Sequence, residues 1–224
     1  MVRNILFILV VGLGGVAVLL WLGFWQLERL TWKEGILAEI DSRLAAAAVP
    51  LPDAPKEATD EYRAVMLTGQ AVDAELHVLT SGTAAGTGFR VISAFETDTG
   101  RRIMLDQGLL PQEAKDAPAS FGPPTTLDGN LIWPDDVNSS TPEPDLANNF
   151  WFGRDVVAMA EVLDTEPVMV VARTTPDPRL TALPIGTIGI KNDHLNYAIT
   201  WFMLASVWAI MSGFLLYRLT RRTV

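Results

Sequence analysis

From Leu195 through Tyr217 the chain carries no acidic or basic side chain, a run of 23 positions. An α-helix needs about 20 apolar residues to cross the hydrocarbon core of a bilayer. A second uncharged run extends from Asn4 to Leu27, behind Arg3. Two such runs, one at each end, constrain the fold more than any other feature: whatever lies between them must leave a membrane and return to it. Arg218, Arg221 and Arg222 follow the second run, and Arg3 precedes the first. Basic flanks stay on the cytoplasmic side, so both termini are expected in the cytoplasm.

A secretory signal peptide is the alternative for the first run. Its apolar core would usually span about 7–15 residues and end at a small-x-small cleavage site. The run here is longer, and no convincing site follows it. The expectation is an uncleaved span from about Ile5 to Phe24. Gly12, Gly14 and Gly15 are small residues of the kind that let membrane helices approach closely, or ordinary glycines of such a helix. No arginine-rich transit peptide is present, which favours a bacterial inner membrane. The expected organisation is a transmembrane helix in 1–27, a periplasmic domain in 28–193, a second transmembrane helix in 194–217 and a cytoplasmic tail in 218–224.

All 26 acidic residues lie between Glu28 and Asp193 with 13 of the 17 basic ones, leaving that segment at −13. Nucleic-acid binding needs clustered Lys and Arg, so no nucleic acid is expected as a partner; membrane lipid is. The chain has no cysteine, which removes disulfides, thiolate catalysis, iron–sulfur clusters and thiolate metal sites.

Past the first run the helical pattern continues through GFWQLERLTWKEGILAEIDSRLAAA, with Leu30, Ile36, Leu37, Ile40 and Leu44 at helical spacing. Trp21, Trp25 and Trp32 bracket the expected membrane interface. The connector VPLPDAPKEAT ends the helix. From Tyr62 the texture changes to strands: YRAVMLTGQAV, ELHVLTSG, GFRVISAFET, RRIMLDQGLLP and TTLDGNLIW, with a hairpin turn at Asp-Thr-Gly. Pro134 to Asn149 is expected to be an irregular loop, Gly153 to Leu163 a short helix and Glu166 to Arg173 a last strand. The fold class is therefore an α+β membrane protein. Two transmembrane helices flank one mainly antiparallel extracytoplasmic β domain, a curled sheet or partial barrel.

The chemistry available is narrow. There is no Gly-x-Ser-x-Gly elbow and no phosphate-cradling glycine loop. Asp135 and Asp136 fall in the predicted loop as solvated surface. His77 sits inside a predicted strand, facing solvent or a polar pocket. These absences argue against an enzyme. His194 stands at the mouth of the second span, and Tyr197 and Trp201, three and seven residues on, share its helix face. Two roles are open for it: capping or anchoring the helix at headgroup level, or serving as an axial haem ligand walled by aromatic rings. On the facing segment Arg29 lies one turn beyond Trp25 and Lys33 one turn further, where propionates would be received or where the cations would simply snorkel.

The opening GFWQLERLTWKEGIL resembles the G-x-W-Q-x-x-R-x-x-x-K signature of the surfeit-locus assembly factors for cytochrome c oxidase. NDHLNYAITWFMLA is similar to that family's N-x-H-L-x-Y-A-x-T-W segment, and NFWFGRDVVAMAEVL to its N-x-W-F-x-x-D-x-x-x-M-A helix. GFRVISAFETDTGRRIMLDQGLLP resembles its central strand block, with Ala94, Gln107 and Leu109 departing from the usual Pro, Arg and Trp. The motifs run in order over nearly the whole chain. The resemblance implies a non-enzymatic assembly factor that binds haem a and assists its insertion into oxidase subunit I. It implies His194 as the axial ligand to the haem iron. Haem a synthase and other oxidase assembly factors are further partners in that setting. A cofactor-free scaffold holding immature oxidase subunits is the competing expectation.

Overall fold

The computed structural model describes residues 2–83 and 85–221. Their backbone contacts divide into two compact units, one formed by the segments up to Glu39 and from Thr187, the other by Ile40–Gly186.

The first unit is a helical hairpin. Helix α1 spans Val2–Ala45 and helix α4 spans His194–Arg221. At about 1.5 Å per residue, α1 is far longer than one bilayer core. Both helices are long and apolar enough to cross a membrane. Large apolar side chains stand exposed along them, among them Phe7, Val10, Leu13, Ile210, Met211 and Phe214. In water a surface of this extent would be a liability; in lipid it is the surface a spanning helix presents.

The helices meet where their side chains are small. A Cβ added at Gly23 would lie 2.5 Å from the Phe202 ring, and one at Gly15 would lie 2.3 Å from the Trp208 indole. Gly12 faces Ser212 in the same way, whereas Gly14 faces nothing. On α4, Ala198 and Ala205 are buried, a small residue on the same face every second turn. Phe24 meets Phe202 edge to face at 5.3 Å, and Trp208 donates its indole N–H to the Val11 carbonyl at 3.3 Å.

The second unit is a closed barrel. Its strands are β1 (Val49–Pro50), β2 (Ala64–Thr83), β3 (Gly86–Thr97), β4 (Arg102–Pro111), β5 (Thr125–Ile132) and β6 (Met169–Ala172). The order is β1-β2-β3-β4-β6-β5, and a further β2–β5 pairing closes the ring. All pairings are antiparallel except β1–β2 and β4–β6. The expected curled sheet is thus fully closed, which removes the exposed edges that an open sheet must protect.

Two runs read as separate strands, YRAVMLTGQAV and ELHVLTSG, form the single strand β2, interrupted by an irregularity between Val72 and Glu75. Its first part pairs with β5 and its second with β3; Gly69 pairs with both, opposite Thr125 and Thr97. With φ at +156° and the Glu96 carbonyl 2.0 Å from where a Cβ would stand, this corner admits only glycine. The expected turn at Asp98-Thr99-Gly100 joins β3 to β4, with Gly100 at φ +80°. The connector after α1 also holds β1 and the short helix α2 (Glu57–Asp60), neither anticipated.

Val65, Leu67, Phe95, Leu105, Leu131 and Val170, drawn from β2 to β6, the five strands of the closed ring, fill the interior. On the opposite face Ile92, Ala94 and Met104 pack with Trp151 and with helix α3 (Val156–Leu163). The Asp155 carboxylate caps α3 by accepting from the Val157 and Ala158 amides at 3.1 and 3.0 Å. Helix α3 and strand β6 are shorter than the Gly153–Leu163 and Glu166–Arg173 read from pattern. The Pro134–Asn149 segment is irregular apart from one 3-10 turn at Leu146–Asn148.

Candidate functional site

His194 is the first residue of α4, and the Asp193 carbonyl accepts the first helical bond, from the Tyr197 amide at 3.1 Å. Across the hairpin, Nδ1 of its imidazole lies 2.7 Å from Oε1 of Gln26 on α1. An amide oxygen can only accept, so this bond requires the proton on Nδ1, and in the neutral ring that leaves the lone pair on Nε2. Nε2 bonds to no described residue, and it is not among the enclosed, unpartnered atoms of the molecule. The imidazole is therefore anchored at one nitrogen and available at the other.

The other residues singled out from the sequence divide into two groups. Lys33 belongs to the hairpin interface: its ammonium donates to the Lys191 carbonyl, three residues before His194. Trp201 is half-buried, and its indole Nε1 is enclosed without a partner, as is Oδ1 of Asn192. Trp25, Arg29 and Tyr197 instead stand exposed, with Tyr197 at 56 %. The Arg29 guanidinium lies 4.4 Å above the Trp32 ring, a stacking that keeps its N–H edges in reach of an anion. The structure thus brings His194 and Lys33 to the seam between α1 and α4, with Trp25, Arg29 and Tyr197 on its outer surface.

Two residues that build this seam had no assigned role in the sequence, Gln26 and Gly23. The signal for Gln26 was a polar residue at the end of an apolar run, which inside a membrane segment is a functional indication by default. A groove of about 370 Å³ lies towards the other end of the hairpin, between Phe7, Val11, Gly12, Trp208 and Met211. Its lining holds no histidine and no charged side chain.

The barrel has polar groups of a different kind. His77 lies in a buried polar cluster, so the solvent-facing alternative is excluded. Its Nε2 is 3.0 Å from the Glu75 carboxylate, whose other oxygen accepts from Arg179 at 3.0 Å, while Arg179 also binds Asp177 at 2.7 Å. Burial pushes the Glu75 carboxyl upward, but the His77 and Arg179 hydrogen bonds and the Arg179 charge outweigh it and hold it below its ordinary value. Asp106, fully buried on β4, accepts from Arg90 at 2.5 Å and has Arg154 at 3.7 Å. There burial wins, raising the Asp106 carboxyl despite the pull of both guanidinium charges. Asp136 is surface, as expected, and binds Arg154 at 2.5 Å. Among the described residues no group of three or more His, Asp or Glu side chains could hold a metal ion. In these clusters each buried carboxylate has a guanidinium partner, and they read as barrel architecture.

Residues 13–206 match the model of the SURF1 family. A protein of Gallus gallus named surfeit locus protein 1 is 30% identical, over 88% of this chain and 70% of its own length. A SURF1-like protein of Rickettsia bellii is 29% identical, over 92% of this chain and 88% of its own. The Homo sapiens surfeit locus protein 1 is 29% identical, over 83% of this chain and 69% of its own. With the family model covering most of the chain, the resemblance carried by the terminal motifs becomes a membership: the chain belongs to the SURF1 family, known as cytochrome c oxidase assembly factors.

Proposed function

We propose that this protein binds haem a through His194 and assists its insertion into cytochrome c oxidase subunit I. Its setting is the bacterial inner membrane, with both termini cytoplasmic and residues 28–193 periplasmic. Haem a synthase and other oxidase assembly factors are the neighbours this role implies. The observation that carries the reading is the placing of the His194 ring: Nδ1 is held by Gln26 at 2.7 Å, and Nε2 bonds to no described residue. A lone imidazole cannot hold a bare ion on its own, and there is no second ligand cluster among the described residues. Haem supplies an iron already held by its own ring nitrogens, needing only an axial base. The donor set therefore fits haem and not a naked metal.

The rest of the seam suits the same ligand. Tyr197, three residues beyond His194, and Trp25, the neighbour of Gln26 in sequence, offer exposed aromatic surface. Lys33 spends one of its three donors on the Lys191 carbonyl and retains the others. Arg29, stacked on Trp32, keeps its guanidinium edges for a carboxylate. The role in oxidase assembly rests on the family; the haem ligation rests on the imidazole.

The test is the visible spectrum of the full-length protein purified in detergent from a host that makes haem a. A Soret band with haem a confirmed by its pyridine adduct, near one per chain, is expected. Protein with no haem band would overturn the reading and leave the cofactor-free scaffold.

A further inference from the structure

A glutamine in a membrane helix is costly unless its amide is hydrogen-bonded. Gln26 follows an uncharged stretch from Asn4, and its amide oxygen is given to one group, Nδ1 of His194, at 2.7 Å. The two residues are 168 positions apart in sequence, so only the closure of the α1–α4 hairpin makes this bond. We propose that Gln26 is the positioning residue for His194: its carbonyl selects the Nδ1–H tautomer and locks the ring so that Nε2 presents its lone pair outward. This inference rests on the reading above that His194 is a haem ligand.

The physical case has three parts. An unrestrained neutral histidine favours its proton on Nε2, which would leave the lone pair on Nδ1, the nitrogen nearer the backbone and the more crowded one for a flat macrocycle. A carbonyl placed at Nδ1 reverses that preference, because only the protonated nitrogen can use it. Second, the side chain that orients a ligating histidine also sets its electron-donating strength, and removing such partners typically costs 10- to 100-fold in metal affinity. Third, the partner is neutral. A glutamate here would bring a charge against the membrane interior, whereas an amide orients the ring without one. The competing role is simple helix adhesion, since interhelical hydrogen bonds also hold membrane helices together. Adhesion would not depend on which imidazole nitrogen is protonated.

The experiment uses full-length protein in lipid nanodiscs, labelled with ¹⁵N-histidine. With only His77 and His194 in the chain, a His194→Ala sample assigns both rings. In haem-free wild type, His194 is expected to show a protonated Nδ1 and a bare Nε2. Gln26→Leu, close in size but with no acceptor, should move His194 to the Nε2–H form or to exchange between the two. Its haem affinity should fall about 10- to 100-fold. Gln26→Glu restores an oxygen, so it should keep the Nδ1–H form and lower the midpoint potential of bound haem below that of wild type. If Gln26→Leu fails to insert into the membrane, Gln26→Glu and the wild-type tautomer carry the test. An Nε2–H wild type, or a Gln26→Leu spectrum identical to wild type, overturns the inference. Haem loss in Gln26→Leu without a tautomer change also overturns it, in favour of adhesion. Wild type that shows the Nδ1–H form yet binds no haem overturns the haem reading alone and supports the hold of Gln26 on the ring.

Discussion

The barrel and the helical hairpin differ in the polar groups they bury. In the barrel the buried carboxylates are paired, Glu75 with His77 and Arg179 and Asp106 with Arg90 and Arg154, although His77 Nδ1, Trp151 Nε1 and Thr165 Oγ1 are enclosed without a partner. In the hairpin seam the polar groups are mostly neutral and incompletely matched. His194 uses one nitrogen of two, while Trp201 Nε1 and Asn192 Oδ1 have no partner. His77 and His194 make the contrast residue by residue. The nitrogen that His77 leaves unpaired is sealed inside the protein, where nothing can reach it; that of His194 is not sealed. An unpaired group enclosed by a packed core is a cost of folding, whereas one at an accessible seam is a capacity for binding.

The largest effect that would sharpen this contrast belongs to the barrel. Asp106→Ala leaves two guanidinium groups facing an empty buried site and should destabilise the barrel by about 3–5 kcal/mol. A denaturant melt measures this, and the His194 ring signals should stay unchanged. A loss of His194 ordering in that variant would break the separation between the two regions.

Next in size is Gly23→Leu in the hairpin. The added side chain must displace the Phe202 ring, 2.5 Å from its first atom, at a cost of about 1–3 kcal/mol. Spin labels on two introduced cysteines, one per helix, should report wider separation while the barrel melt is unaffected.

Acid should distinguish the regions through their charges. The Lys56 amide and the Arg63 side chain hold the Asp60 carboxyl below its ordinary value, and Arg101 does the same for Glu166; Glu75 is also lowered. A lowered carboxylate contributes stability that is present above its unfolded value, near 4, and lost as pH falls through its folded value. Asp106 has the opposite sign: its contribution is present below the unfolded value and lost as pH rises through its raised one. With Asp145 also lowered and Glu61 also raised, four lowered carboxylates against two raised ones predict a barrel that melts earlier as pH drops below about 4, read by circular dichroism against pH. A barrel equally stable through that range would show that the ion pairs do not hold it.

The smallest effect is expected from Arg29→Ala. That side chain is exposed and stacked on Trp32, a contact of about 0.5–1 kcal/mol. Haem occupancy should fall only a few-fold, and folding should not change.

Much of the fold was legible because its signals are local. The two uncharged runs set the helices, Asp98-Thr99-Gly100 set the β3–β4 turn, and the apolar spacing of Val156 to Leu163 set α3. What was not legible depends on partners far along the chain. Barrel closure needs β6 to slip between β4 and β5, partly by parallel pairing, which no strand pattern announces. The joining of two runs into β2 hinges on the irregularity at Val72–Glu75, which looks in sequence like a break between strands. Glu75 finds its arginine 104 residues away, and Gln26 finds its histidine 168 away. The chemistry of His194 as a lone imidazole at a helix mouth was visible. Its hydrogen-bond partner Gln26 was not, because a glutamine in an apolar run does not say which residue it faces.

The central claim is that His194 is the open coordination point of the molecule, and one substitution tests it. His194→Ala removes the imidazole while keeping a strong helix former at the start of α4, so insertion and the barrel melt should match wild type. The measurement is haem per chain and the Soret band of wild type and variant purified side by side from a haem-a-producing host. The account predicts that wild type carries haem and the variant loses nearly all of it. Equal haem content and an unchanged Soret band in the two proteins would contradict it.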